Sequence, residues 1–426
     1  MTDTPSQTGV QRSVFDNGVR VVTETMPHVG SVSIGIWVEN GSRYETREQA
    51  GISHYLEHLF FKGTERRTAT EIAEEFEGVG GHFNAFTGKE CTCYFAKVLA
   101  EHLPLAQDIL GDILLNSRFD PDEIERERSV VVQEILQNED TPDDYVHDLF
   151  SLQYWREHPL SFPVCGRLET VEAFKQRDFL DFIAQRYRPN RLLIAATGKI
   201  DHDRVVEWVG NTFGALQGTT PAFNGHAPKA HRGLHTIEKP LEQMHLCFGA
   251  PGISQTDPQR FAAYLMNTAL GGGMSSRLFQ EVREKRGRAY SVYSFLSSYA
   301  DGGYLGVYAG TSPQWVGEVV DLIREQLDAL RREGLRKEEL SRVKNQLKGN
   351  LLLGLETTDS RMNRIARNEI YMGEDMTPEQ VAAHIDAVTN DDVVALAARV
   401  MRPEAYAMTL LGDLKGHAVG EEVLNG

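Results

Sequence analysis

Cysteine is scarce in this chain. Four residues in 426, Cys91, Cys93, Cys165 and Cys247, are too few for a disulfide framework at this length. Cys91 and Cys93 share a strand face and read as free thiols, because no second closely spaced pair supports a zinc finger. Positive charge is also in deficit. Lys and Arg number 44 against 61 Asp and Glu, a formal charge of −17. That argues against nucleic acid and anionic membranes as partners. It could favour basic peptides, though a solvated, solubilising surface is the commoner reason for such a charge. No apolar run approaches the length of a membrane span. The opening MTDTPSQTGVQRSVF has neither the charged-then-apolar order of a secretory signal nor the Arg-rich, acid-poor character of an organelle presequence. A cytoplasmic protein is the expectation. With 41% hydrophobic residues, a chain this long can bury a large core in more than one domain.

What is present is concentrated at residues 54 to 58, His-Tyr-Leu-Glu-His. This H-x-x-E-H order mirrors the common zinc-protease motif. Two histidines four apart on a helix point to nearly the same side, so both can reach one ion. Glu57 projects from almost the same face and can hold a water beside it. The flanking Gly51-Ile52-Ser53 and Leu59-Phe60-Phe61 predict an apolar helix, in which unliganded His and Glu would be costly to bury. Two imidazoles and a later carboxylate would leave one coordination position open, as a catalytic zinc site needs. The third ligand is sought on a second helix, PDEIERERSVVVQEILQNED at 121 to 140. Ile124, Val131, Ile135 and Leu136 form its apolar stripe. Glu127 and Glu134 lie two turns apart on one face, and Glu134 sits among apolar neighbours that predict a paired or metal-bound carboxylate. Glu123 and Glu125 read as solvated.

This pattern resembles the pitrilysin/insulinase family of zinc peptidases, the inverzincins, and within it the processing-peptidase branch. HYLEHLFFKGT at 54 to 64, GGHFNAFTGKECTCYF at 80 to 95 and LGGGMSSRLFQEVREKRGRAYSVYS at 270 to 294 carry the likeness, which spans about residues 12 to 412. The resemblance implies one Zn2+ per chain on His54, His58 and Glu134, with Glu57 as general base and Glu127 supporting the site from behind. It implies that Asn84 and Ala85 pair with an extended peptide. It also implies that Arg283 and Tyr290 contact substrate, the phenol donating to the developing oxyanion. The local alternatives are that Glu127 is an exposed helix acid, Arg283 one charge among many and Tyr290 a core strand residue. Cys165 stands where relatives more often carry an aliphatic residue. The chain lacks the long glycine-rich loop of the noncatalytic processing-peptidase subunit, and it is about half the length of the large insulin-degrading members. A second chain is therefore expected, as a homodimer or as a heterodimer with a homologous chain, closing a chamber around peptide substrates. Two other classes stand against this reading: a noncatalytic scaffold subunit of the same fold, and a metal-dependent hydrolase of small molecules.

The chain also repeats itself. At an offset of 216, DEIERERSVVVQEILQNEDTPD at 122 to 143 aligns with EELSRVKNQLKGNLLLGLETTD at 338 to 359. Glu123, Arg126, Thr141 and Asp143 meet Glu339, Arg342, Thr357 and Asp359, while Glu134 falls on Asn350 and Glu127 on Val343. The second half keeps the scaffold and drops the metal chemistry. The predicted fold is α+β, two homologous α/β-sandwich domains with helices on largely antiparallel sheets. They are a metal-binding domain at 1–216, a linker at 217–233 and a noncatalytic homologous domain at 234–426. Within the first, 12 to 26 reads as strands, 50 to 61 and 68 to 78 as helices, and 83 to 99 as a strand.

Overall fold

The computed structural model describes residues 9–221, 226–373 and 375–425. In the first half, β1 (Val10–Val14), β2 (Arg20–Thr25) and β3 (Ser31–Val38) lead into α1 (Ile52–Phe60) and α2 (Ala69–Gly78). Then come β4 (His82–Thr87), β5 (Thr92–Leu99), α3 (Leu103–Asn116), α4 (Pro121–Glu139) and α5 (Pro142–Tyr154). The half closes with α6 (Leu168–Ala173), α7 (Gln176–Arg186), β6 (Leu192–Gly198) and α8 (His202–Phe213). The second half runs β7 (Gly233–Ile237), β8 (Met244–Pro251), α9 (Arg260–Gly271), β9 (Ala289–Ser298), β10 (Gly303–Thr311), α10 (Val316–Glu333) and α11 (Lys337–Gly354). It ends with α12 (Thr358–Tyr371), α13 (Pro378–Ala387), α14 (Asn390–Val400) and β11 (Ala407–Leu411). The segment expected as one strand at 83 to 99 is a hairpin. Gly88-Lys89-Glu90-Cys91 turns the chain between β4 and β5, and Cys91 therefore precedes the strand rather than lying on it.

Among the described residues the strands form two mixed, largely antiparallel sheets, ordered β1-β2-β6-β3-β5-β4 and β7-β11-β8-β10-β9. Only β2–β6 and β7–β11 are parallel. The compact units are not two contiguous halves. The first comprises residues 1–136, 162–225 and 354–377, the second 137–161, 226–353 and 378–426. Each unit takes a helix from the other half of the sequence, which the division at 217–233 does not provide for. The reason is the two-faced burial of the central strands. In β3, Val32, Ile34, Ile36 and Val38 join the core beneath α1, α3 and α4. Trp37 faces the opposite way, with Cys93, Leu193 and Ala195, onto Met362, Ile365 and Ala366 of α12. A sheet buried on both faces needs a cover on both, and α12 is the second cover of the first unit. In the second unit, α5 covers β8 and β11 in the same way, through Val146, Phe150 and Tyr154. The two exchanged helices begin at the duplicated positions: Thr141 precedes α5 as Thr357 precedes α12.

Candidate metal centre

Helix α1 starts after Gly51, held at φ +96°, a conformation glycine adopts without steric cost. Its apolar face, Ile52, Tyr55, Leu56, Leu59 and Phe60, is buried in the first unit's core. That burial fixes the roll of the helix and leaves His54, Glu57 and His58 on the other face. Tyr55 ties α1 to α4 by donating its hydroxyl to the Ile124 carbonyl at 2.5 Å. Glu134 approaches from α4. Its Oε2 lies 3.5 Å from His54 Nε2 and 3.4 Å from His58 Nε2, and one ligand atom from each of the three residues falls within 4.8 Å of the others. Ligands about 2.0–2.2 Å from a tetrahedral zinc lie roughly 3.3–3.6 Å apart. The donor set and its two Glu134–His spacings therefore fit zinc. Among the described residues this is the sole cluster of His, Cys, Asp or Glu with such spacing.

The surroundings differ from residue to residue. Burial, helped by the neighbouring His58, pushes the His54 imidazole down to about 4, so the ring is neutral at physiological pH, as a metal ligand must be. Burial also draws His58 down, but its bond to Glu127 and the nearby Glu134 and Glu57 outweigh this and raise it. His58 Nδ1 lies 3.2 Å from Glu127 Oε2, and Glu127 Oε1 pairs with Lys62 Nζ at 2.7 Å. Glu127 is thus a buried bridge, not an exposed helix acid; its side chain is 8% accessible. Burial raises its carboxyl, but the bonds to His58 and Lys62 prevail and hold it below the usual range. Glu134 shows the reverse. The sequence places it in an apolar run, yet its side chain is 42% accessible, and neighbouring Val130 and Leu136 are exposed as well. Of the expected stripe, Ile124, Val131 and Ile135 are buried; residue 136 falls outside the buried arc. Glu57 is raised above its normal value, first by burial, with Thr87 opposing. Thr87 donates Oγ1–H to Glu57 Oε2 at 2.5 Å.

Asn84 and Ala85 lie on β4, the edge strand of the first sheet, which pairs only with β5. Asn84 is exposed, and its Oδ1 accepts the Ala85 N–H at 2.8 Å. Arg283 and Tyr290 belong to the second unit. The Arg283 guanidinium is stacked between two rings, 4.8 Å from the centre of Phe279 and 4.9 Å from that of Tyr290. Tyr290 is 78% exposed, so it is not a core strand residue. Sequence reasoning missed three residues: Lys62, Glu45 and the role of Thr87. The spacing His58-x-x-x-Lys62 is one helical turn and could have drawn attention to Lys62. Thr87 reaches Glu57 through sheet pairing, which no local spacing reveals.

Fold and site together define a two-unit α+β protein with an inverted H-x-x-E-H motif facing a third candidate ligand, Glu134. The chain belongs to the pitrilysin/insulinase family, peptidase family M16. The profile described as "Insulinase (Peptidase family M16)" matches residues 20–167 and that described as "Peptidase M16 inactive domain" residues 173–347. A Streptomyces coelicolor protein named as an uncharacterized zinc protease is 44% identical over 418 residues, covering 95% of this chain and 90% of its own. YmxG of Bacillus subtilis, named likewise, is 42% identical over 402 residues, covering 94% and 98%. A crystal structure of a protease from Helicobacter pylori shares the fold with a TM-score of 0.88 at 21% identity, over 95% of this chain and 99% of that one. A Pseudomonas fluorescens structure titled as a peptidase M16 inactive domain does so at 0.89 and 19%, over 96% and 98%.

Proposed function

We propose that the protein is a zinc-dependent endopeptidase acting on extended or unfolded peptides. The observation that carries this reading is the convergence of His54, His58 and Glu134 on one point, beside a carboxylate, Glu57, that lies on the same helix face. The relatives' names as zinc proteases support it. A bound zinc would supply Lewis acidity and lower the pKa of its water to about 7. The chain's own residues would do the rest. Thr87 occupies one oxygen of Glu57, so the other is left to take a proton from the attacking water and later to give it to the leaving amine. A raised carboxyl is the better matched to this exchange near neutrality. Lys62 and Glu127 fix the ring of His58 from behind. Asn84 and Ala85, on an unshared sheet edge, would pair with the peptide main chain, recognising extended shape more than sequence. Arg283 and Tyr290 are proposed as further substrate contacts, the guanidinium gripping a carbonyl or carboxylate and the phenol donating to the oxyanion.

A noncatalytic scaffold would have no reason to keep the three ligand candidates and Glu57 together, and the Arg283/Tyr290 pair favours a long substrate over a small molecule. The deciding experiment incubates the purified protein with an unfolded peptide, with and without a chelator. Cleavage that the chelator stops and zinc restores is expected. No cleavage by a zinc-loaded protein would favour the scaffold, and hydrolysis of small esters or amides alone would favour the small-molecule hydrolase.

A further inference from the structure

The two candidate ligand histidines are not held alike. Behind His58, Nδ1 meets Glu127. Behind His54, Nδ1 is buried and has no hydrogen-bond partner among the described residues. Ligating histidines as a rule fix their ring through the second nitrogen. Apart from an edge-on contact with the His58 ring, 4.8 Å between centroids, the placement of His54 falls to its backbone. That backbone lies in the first turn of α1, two residues after the helix begins at Ile52. First turns are where helices are weakest, since their leading N–H groups lack partners within the helix. The residue before the helix, Gly51, offers no side chain to cap it.

Glu45 supplies what is missing. Its Oε2 accepts the Gly51 N–H at 2.8 Å and its Oε1 accepts the Ser53 N–H at 2.9 Å. Glu45 is 2% exposed and Ser53 is wholly buried. The Ser53 hydroxyl accepts from Asn40 Nδ2 at 3.3 Å. The chain entering the helix has no slack either. A Cβ on Gly51 would stand 2.7 Å from the Gly166 Cα and 2.8 Å from the Cys165 carbonyl oxygen, and Thr170 Oγ1 donates to the Ala50 carbonyl at 2.6 Å. A short polar residue in the capping position could accept from the Ser53 N–H but not from the amide of residue 51 itself, and its Cβ has no room there. A buried carboxylate is a costly way to hold both amides, and its cost argues for a role in geometry.

We propose that Glu45 is a positioning residue for His54: its grip on the amides of Gly51 and Ser53 sets the first turn of α1 and stands in for the hydrogen bond that His54 Nδ1 lacks. The inference rests on the reading of His54, His58 and Glu134 as zinc ligands. Glu45→Gln tests it with little change of shape. The amide keeps one accepting oxygen and turns an NH2 toward a backbone N–H, so one of the two contacts is lost.

Three measurements decide the matter: zinc affinity of the metal-free protein against a chromophoric chelator, its melting temperature, and amide exchange at Gly51 and Ser53. Glu45→Gln should bind zinc about 10-fold more weakly, at the lower end of what supporting residues contribute, at temperatures where its melting curve shows the metal-free variant still fully folded. In a His54→Ala background the same change should cost nothing further, because the two residues act as one unit. Wild-type affinity in Glu45→Gln, or an undiminished loss in the His54→Ala background, would overturn the proposal. Should Glu45→Gln fail to fold, exchange in the wild-type protein decides: protection of Gly51 and Ser53 beyond that of their neighbours is expected, and exchange at the unprotected rate overturns it. A wild-type chain that binds no zinc would instead sink the reading on which the inference rests.

Discussion

Glu57 is the residue on which the proposed chemistry turns, and it touches none of the metal candidates as a ligand. Glu57→Gln should therefore keep zinc and lose on the order of 10²–10⁴ in turnover. Metal analysis beside a peptidase assay checks this; an active variant would remove Glu57 from the mechanism. Glu45 gives a second residue-scale prediction. Burial, opposed by its hydrogen bonds to Ser53 and Gly51, pushes its carboxyl from 4.5 up to about 7. The folded chain thus binds this proton more tightly than the unfolded chain does. The stability it contributes is full below pH 4.5 and declines as pH rises to about 7, then stays level. Glu45→Gln should flatten that part of the stability profile, which denaturant melts across the range would show. An unchanged slope would mean that the group titrates alike in both states. His54, Glu57 and His58 were legible in the sequence because helical spacing alone puts them on one face. Thr87 and Glu45 were not, because their partners are chosen by tertiary packing and their spacings match no motif; Lys62 was hinted at by its spacing from His58, but its partner, Glu127, was not.

Helix α4 and its counterpart α11 show what duplication preserved. Glu127, buried against His58, corresponds to the buried Val343, and Glu134, open to solvent, to the exposed Asn350. At position 127/343 burial persisted while the chemistry was lost; elsewhere α11 is looser, since Leu340, Leu347 and Leu351 are only partly buried where Ile124, Val131 and Ile135 are buried. Glu134→Gln should weaken zinc binding strongly, since a neutral amide replaces an anion, whereas Asn350→Ala should leave metal content unchanged. Full metal in both variants would direct the search for a third ligand to Glu127. The order and extent of most elements followed from periodicity. Two features did not. The turn at Gly88–Cys91 joins two strand-like segments with nothing between them long enough to mark a break. The exchange of α5 and α12 is invisible to periodicity, which says that a helix has an apolar face but not which sheet that face covers. Ile365→Ala, on the buried face of α12, should destabilise the first unit by about 2–5 kcal/mol, read from its melting transition. A smaller effect would mean that α12 is not needed as a cover.

At the scale of the molecule, the metal candidates and the Arg283/Tyr290 pair lie on one chain, so a homodimer should suffice for activity. Light scattering should give about twice the 47.7 kDa chain mass, and the protein should cut unfolded peptides while sparing folded ones. A fully active monomer would overturn this; an inactive homodimer rescued by a homologous chain would point to a heterodimer. The helix exchange has a further consequence, which belongs to biosynthesis. Translation delivers the chain from its N-terminus at about 5–20 residues per second. The whole of the first sheet has been made once β6 is complete, but the helix that covers its Trp37 and Leu193 face comes more than 150 residues later, at 358–371. A first sheet that pairs before α12 is made would hold that apolar face open through the interval. Ribosome-bound chains stalled before residue 358 should therefore bind a holdase that full-length chains release, and equal binding by both would overturn this.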